Sequence, residues 1–100
     1  MPSKSNEVLL CCFLWAKRDA EAELTEYETN VLAFIPDVGG LVVQRVTSDG
    51  ANGQPNEVQI LRFPSNDALN SFVSDPRRVA LAETRDRVIA RTELFPVSLL

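Results

Sequence analysis

Arg85 is the charge most out of place in this sequence. On the helical wheel of the segment from about Arg77 to Arg91, Leu81, Ala82, Val88 and Ile89 form an apolar arc with Arg85 near its centre. A guanidinium placed there is costly unless it is paired or reaches a wet cavity. Two readings stay open: Arg85 holds a ligand, or it snorkels to the rim or closes an internal ion pair. Tyr27 lies centrally in the apolar stripe of an earlier helix and brings a ring and a hydroxyl to the same layer. Arg45 shares a strand face with Leu41 and Val43, and Arg62 shares one with Val58 and Ile60. Each could line a pocket between sheet and helix or between two sheets, and for each alone an ion pair at a dimer seam is the favoured reading. Gln59 and Glu93 are the other strand polar residues within reach, and Trp15 either closes one end of a cavity or packs as a core tryptophan. Together these residue types suit a small anionic or enolate-like molecule, held by Arg85 or Arg45 and positioned or protonated by Tyr27.

Other chemistries lack their residues. The chain has no histidine, which removes the commonest general base, the commonest zinc ligand and the usual proximal haem ligand. Its two cysteines, Cys11 and Cys12, are adjacent; on a strand they point to opposite faces, and they read as small apolar fillers in a reducing compartment. No Gly-rich phosphate loop, nucleophile elbow, metal-ligand spacing or suggestive carboxylate pair appears, so no residue is assigned as catalytic and neither metal nor cofactor is expected. A net charge of −4 argues against nucleic acid and against a membrane surface as partners.

The elements that position these residues begin with the run Val8 to Ala16, which contains no polar side chain. A strand alternates its side chains between two faces, so both faces of this one must leave water. Charges flank the run and no small-residue cleavage site closes it, so it is read as a strand of a cytoplasmic protein rather than as a signal segment. Ala20, Leu24, Tyr27, Val31, Phe34 and Ile35 then recur at helical spacing over about four turns, with an acidic, solvated opposite face. Pro36 with Gly39 and Gly40 stops this helix. Strands are expected at Leu41 to Thr47 and Glu57 to Phe63, joined by a mobile hairpin loop from Ser48 to Pro55. Ser65 caps a helix carrying Ala68, Leu69, Phe72 and Val73, Asp75-Pro76 interrupts it, and a further helix to Arg91 leads into a last strand at Thr92 to Val97.

The order is βαββαβ: an α+β, ferredoxin-like domain spanning residues 1–100, with residues 1–6 expected to be flexible. Right-handed crossovers put both helices on one face of a four-stranded antiparallel sheet of order 4-1-3-2 and leave the other face bare. Pairing two such faces in a homodimer is the simplest way to bury it. An RNA-recognition reading of the same topology fails, because the third strand carries a single aromatic, at its end.

Several spacings together resemble the dimeric α/β-barrel superfamily, in its small branch of unknown function near the antibiotic-biosynthesis monooxygenase-like proteins. The matching elements are Tyr27 followed by Gly39-Gly40 and Arg45, the passage Phe63-Pro64-Ser65, and the Asp75-Pro76 break with Arg85 after it. The resemblance implies a homodimer whose sheets face each other, with pockets bounded by sheet, helices and hairpin loop. It also implies relatives that include cofactor-independent oxygenases, isomerases and haem proteins, and the missing histidine speaks against the haem branches. Arg62 stands where an acidic residue is expected before Phe-Pro-Ser, and Arg78 where an aromatic is usual after the break. Two functions follow: a cofactor-independent enzyme of oxygenase or isomerase type acting on a small anionic molecule, or a non-catalytic dimeric module that binds a small ligand or a protein.

Overall fold

A computed structural model describes residues 6–100. Apart from Asn6, the segment expected to be flexible lies outside the described residues. Four antiparallel strands, β1 (Val8–Ala16), β2 (Leu41–Thr47), β3 (Glu57–Phe63) and β4 (Ile89–Pro96), form one sheet in the order β2-β3-β1-β4, which is the expected 4-1-3-2 read from the other edge. Helices α1 (Glu21–Leu32), α2 (Asn66–Val73), α3 (Pro76–Val79) and α4 (Ala82–Val88) supply the second layer.

The layer between them is the core. Leu10, Cys12 and Leu14 of β1 and Leu61 and Phe63 of β3 meet Leu24, Tyr27, Val31, Phe72 and Val88 from the helices. The alternate residues of β1, Leu9, Cys11, Phe13 and Trp15, face the side without helices, so the apolar run does serve two faces. There Phe13 packs edge-to-face on Phe95, with ring centroids 5.3 Å apart, and on Trp15 at 6.1 Å. Leu41 and Val46 on the same face are about half exposed, at 51% and 49%.

Three local details depart from the sequence pattern. Helix α1 ends at Leu32, and Ile35–Val38 is a 3₁₀ turn with Pro36 in its first turn; Ile35 remains fully buried. Gly39 then takes φ +79, and Gly40 is a close approach: a Cβ there would stand 2.7 Å from Ile35 Cγ2 and 2.9 Å from the Arg62 carbonyl oxygen. The last helical stretch, expected as one segment to Arg91, is two short helices, α3 and α4, separated at Ala80 and Leu81, and it ends early because β4 begins at Ile89 rather than Thr92. Ile89 has extended backbone (φ −104, ψ 121) and pairs with Ala16 across a bulge that leaves Ala90 unpaired. A second bulge sits at Val43, between the pairs Val42–Leu61 and Gln44–Ile60. It shifts the alternation of β2 by one residue, so Arg45 faces the helices and not the side of Leu41 as simple alternation requires.

The expected Ser65 cap forms, and the Asp75-Pro76 break supplies a second. Ser65 Oγ accepts from the Ala68 amide at 3.1 Å, and Asp75 Oδ1 accepts from the Arg77 amide at 2.8 Å, opening α3 immediately after the Asp75-Pro76 break. The loop expected to be mobile contains its own hydrogen bonds. Ser48 Oγ donates to the Pro55 carbonyl at 2.6 Å, Asp49 Oδ1 accepts from the Ala51 amide at 2.9 Å, and the Trp15 indole N–H donates to the Gly53 carbonyl at 2.9 Å.

Candidate functional site

Between the helix face of the sheet and the helices lies a cavity of about 280 Å³. Its walls are mostly apolar, with Leu10, Leu14, Leu61 and Phe63 from the sheet and Val31 and Phe72 from the helices. Val73 and Leu94, 45% and 51% exposed, mark its open side along the β4 edge. Six polar side chains interrupt the apolar lining: Tyr27 and Glu28 from α1, Gln59 from β3, Arg78 from α3, Arg85 from α4 and Thr92 from β4. A mostly apolar concavity with a few convergent polar groups is the usual form of a small-molecule site.

Several of these groups lack protein partners. Arg85 forms no ion pair with any described residue. Arg78 donates from Nη1 to the Val73 carbonyl at 3.1 Å and lies over the Phe72 ring, while its Nε is buried without an acceptor. Thr92 Oγ1 is likewise buried and unpartnered. Buried polar atoms are nearly always satisfied, so two unsatisfied side chains and an arginine without a carboxylate partner set this lining apart from an ordinary core.

The opposite arrangement holds at the inner end. Gln59, 1% exposed, donates from Nε2 to Glu28 Oε1 and to Glu57 Oε2, both at 2.8 Å. Glu57 is fully buried, and its Oε2 also accepts from Arg45 Nε at 2.7 Å. Arg45 in turn donates to Thr29 Oγ1 at 3.0 Å and to the Thr25 carbonyl at 3.3 Å. The result is a continuous polar chain from the cavity wall at Glu28 to the partly exposed Arg45. Burial pushes the Glu28 carboxyl above its ordinary value; the Gln59 hydrogen bond opposes this and the nearby Glu57 charge reinforces it. Burial and then the Glu28 charge raise the Tyr27 phenol in the same way. Cys12, facing the cavity from β1, is pushed up to about 12, chiefly by burial and next by Glu28, so its thiol stays protonated and unreactive.

Of the residues singled out from the sequence, Tyr27 and Arg85 come together on this cavity. Arg45 does not reach it: the bulge at Val43 directs it to Glu57, in an ion pair inside the protomer rather than at a subunit seam. Arg62 lies on the side without helices, 3.5 Å from Glu7. Trp15 lies on that same side with the Arg91 guanidinium 4.5 Å from its ring centroid, so both are separated from the cavity by the sheet. Glu93 pairs with Arg91 there.

Sequence reasoning missed Arg78 and Thr92 as cavity residues, and above all Glu28. The acidic pattern of α1 groups it with the solvated face, yet it is 7% exposed. A signal for its burial exists, since Glu28 stands four residues after Leu24 and four before Leu32, inside the buried stripe. Among the described residues, no group of three His, Cys, Asp or Glu side chains is placed to hold a metal ion.

No family model and no curated protein matches the sequence. Solved structures do match its shape. One from Bacteroides thetaiotaomicron, assigned provisionally to the antibiotic biosynthesis monooxygenases, superposes with a TM-score of 0.78 at 14% identity, over 98% of this chain and 93% of the other. SnoaB, a cofactor-independent oxygenase from Streptomyces nogalater, gives 0.68 at 18% identity, over 95% and 96% of the two chains. A dimeric protein of unknown function from Bacteroides fragilis gives 0.68 at 9% identity, over 93% and 96%. At such identities the likeness establishes the fold, and this chain is a ferredoxin-like βαββαβ protein of the shape shared by those dimeric and monooxygenase-like structures.

Proposed function

We propose that the protein is a cofactor-independent enzyme, working as a homodimer, that takes a small organic anion into the cavity between sheet and helices. The observation that carries this reading is the convergence of Arg85, Arg78 and Thr92 on the lining of one apolar-walled cavity, with neither arginine paired to a carboxylate among the described residues. Arg85 and Arg78 supply the positive charge, Thr92 and the Tyr27 hydroxyl supply directional hydrogen bonds, and the leucine and phenylalanine walls suit an apolar body behind the charged head. Against apolar walls of this kind, fixed donors stabilise developing negative charge more strongly than water does.

The apolar sheet face supports the dimer, and its likeness to a structure described as dimeric agrees. Net charge −4 and two unpaired, buried cysteines fit a cytoplasmic protein that binds neither nucleic acid nor membrane. No helix among the described residues is long and apolar enough to cross a membrane.

Thermal melts of wild type and Arg85→Leu, with and without a panel of small carboxylic and 2-oxo acids, test the site. Wild type is expected to melt higher with at least one acid, while Arg85→Leu keeps or raises its ligand-free stability and loses that shift, because an apolar side chain suits the arc. A variant that melts far lower, beside a wild type indifferent to every acid, would remove Arg85 from the site.

A further inference from the structure

We propose that Glu28 is the proton-transferring group of this cavity. It takes a proton from the carbon next to the carbonyl of a bound organic acid and returns it to that carbon or to a neighbouring one. Gln59, Glu57 and Arg45 act as its positioning residues. The inference rests on the anion-binding reading above and gives that site a reaction class.

The geometry separates the two oxygens of Glu28. Oε1 accepts from Gln59 Nε2 at 2.8 Å, and that contact orients the carboxyl. Oε2 takes no hydrogen bond from any described residue, and the side chain lines the cavity. A base that is fixed through one oxygen and open through the other is what proton abstraction from carbon requires. Gln59 is held in turn because the same Nε2 donates to Glu57 Oε2, and Glu57 is fixed by Arg45. Glu57 and Arg45 do not line the cavity, and Gln59, which does, has its Nε2 committed to Glu28 and Glu57; all three act through Glu28.

The step balances without a further reagent. The C–H bond breaks, its proton bonds to Glu28 Oε2, and its electron pair moves into a carbon–carbon double bond as charge develops on the carbonyl oxygen. Arg85 and Arg78 stand on the same cavity to hold that enolate. The proton then leaves Oε2 for carbon, and the carboxylate is regenerated; nothing is oxidised or reduced. The charged and titratable groups around Glu28 are Glu57 on β3, Arg45 on β2, Cys12 on β1, Tyr27 on α1, Arg78 on α3 and Arg85 on α4. Burial and then Glu57 favour the protonated form of Glu28, the Gln59 hydrogen bond and the arginines Arg45 and Arg78 oppose it, and the net direction is upward from the ordinary carboxylate value.

The experiment combines two readouts on the intact protein. Proton NMR in D₂O follows loss of the C3–H signals of pyruvate, 2-oxobutyrate and phenylpyruvate, with binding of each measured separately. Carbon-13 NMR follows the Glu28 carboxyl across pH without any ligand. Wild type is expected to exchange a bound acid at least about 100-fold faster than Glu28→Gln, which keeps the acceptor for Gln59 and still binds. The ligand-free Glu28 midpoint should lie above that of an ordinary carboxylate. Glu57→Gln should move both this midpoint and the pH profile of exchange downward by removing a neighbouring negative charge, a change that a merely structural role would not produce. Binding without exchange beyond that of Glu28→Gln would overturn the inference and leave the binding site standing. Failure of every acid to bind would take the site reading and this inference together, and an ordinary Glu28 midpoint would overturn the inference alone.

Discussion

Replacing Arg45 with Met removes one partner of a buried carboxylate and keeps the volume of the side chain close to its original value. Glu57 is fully buried, and its Oε2 has two donors, Arg45 Nε at 2.7 Å and Gln59 Nε2 at 2.8 Å, while Oε1 has none. Without Arg45 the charge retains one neutral donor, so the loss should approach that of a broken buried ion pair, about 3–5 kcal/mol. Arg45 itself is 27% exposed, which admits some water and favours the lower end. About 3 kcal/mol is a large part of the stability of a domain this size and corresponds to a melting point lower by about 10–25 °C. Urea unfolding at fixed protomer concentration, followed by circular dichroism, measures it. The double variant Arg45→Met with Glu57→Gln should regain at least half of the loss, since no charge then remains to be neutralised, and the introduced amide oxygen can still accept from Gln59. A single variant within about 1 kcal/mol of wild type would mean that the pair behaves as a surface contact, and the buried polar chain would lose its anchor.

Gly40→Ala places a Cβ against Ile35 Cγ2 and the Arg62 carbonyl oxygen, and should cost about 1–3 kcal/mol in urea unfolding because one of the two neighbours is backbone. Glu28→Gln should be more stable than wild type at neutral pH: a carboxyl raised by folding loses stability as pH rises from its unfolded value through its folded one. The advantage should therefore close as pH falls to the ordinary carboxylate value, and a gain independent of pH would contradict it. Light scattering coupled to gel filtration at micromolar concentration should give about twice the 11.1 kDa chain mass, and a stable monomer would remove the paired-sheet reading.

What the sequence disclosed follows from which patterns are local. The polar-free run Val8 to Ala16 requires a two-faced central strand wherever it sits, and Ser65 and Asp75-Pro76 carry their own cap and break chemistry, so strand order and the starts of α2 and α3 were legible, while α4, which opens at Ala82 without a side-chain cap, was not. Bulges are not local in that sense. Nothing in Leu41 to Thr47 marks Val43 as the extra residue, because the bulge is defined by pairing with β3, and a one-residue shift exchanges every face after it. Sound alternation therefore puts Arg45 on the wrong side. Ala90 produces the same kind of error at β4, where the helical pattern continues in the residues while the backbone has already become extended to pair with β1. Glu28 is hidden for a different reason: an acidic helix invites treatment of all its acids alike, although their wheel positions differ.

The polar chain from Glu28 to Arg45 bears on why the cavity exists. A fold that sought only stability would fill the layer between α1 and β3 with aliphatic side chains, since replacing buried ionic groups by apolar ones of similar volume is often neutral or favourable. Here Glu28, Gln59 and Glu57 occupy three inward positions of that layer, and Glu28 and Gln59 border a concavity of about 280 Å³ that the side chains do not close. The buried polar groups and the concavity fall on the same face of the sheet, beside an arginine that has no carboxylate partner among the described residues. An ion-pair network built for the fold would have used Arg85 to neutralise Glu28. Instead Glu28 is oriented by an amide and Arg85 is kept open, which separates a base from a cation across a space that a small anion can enter.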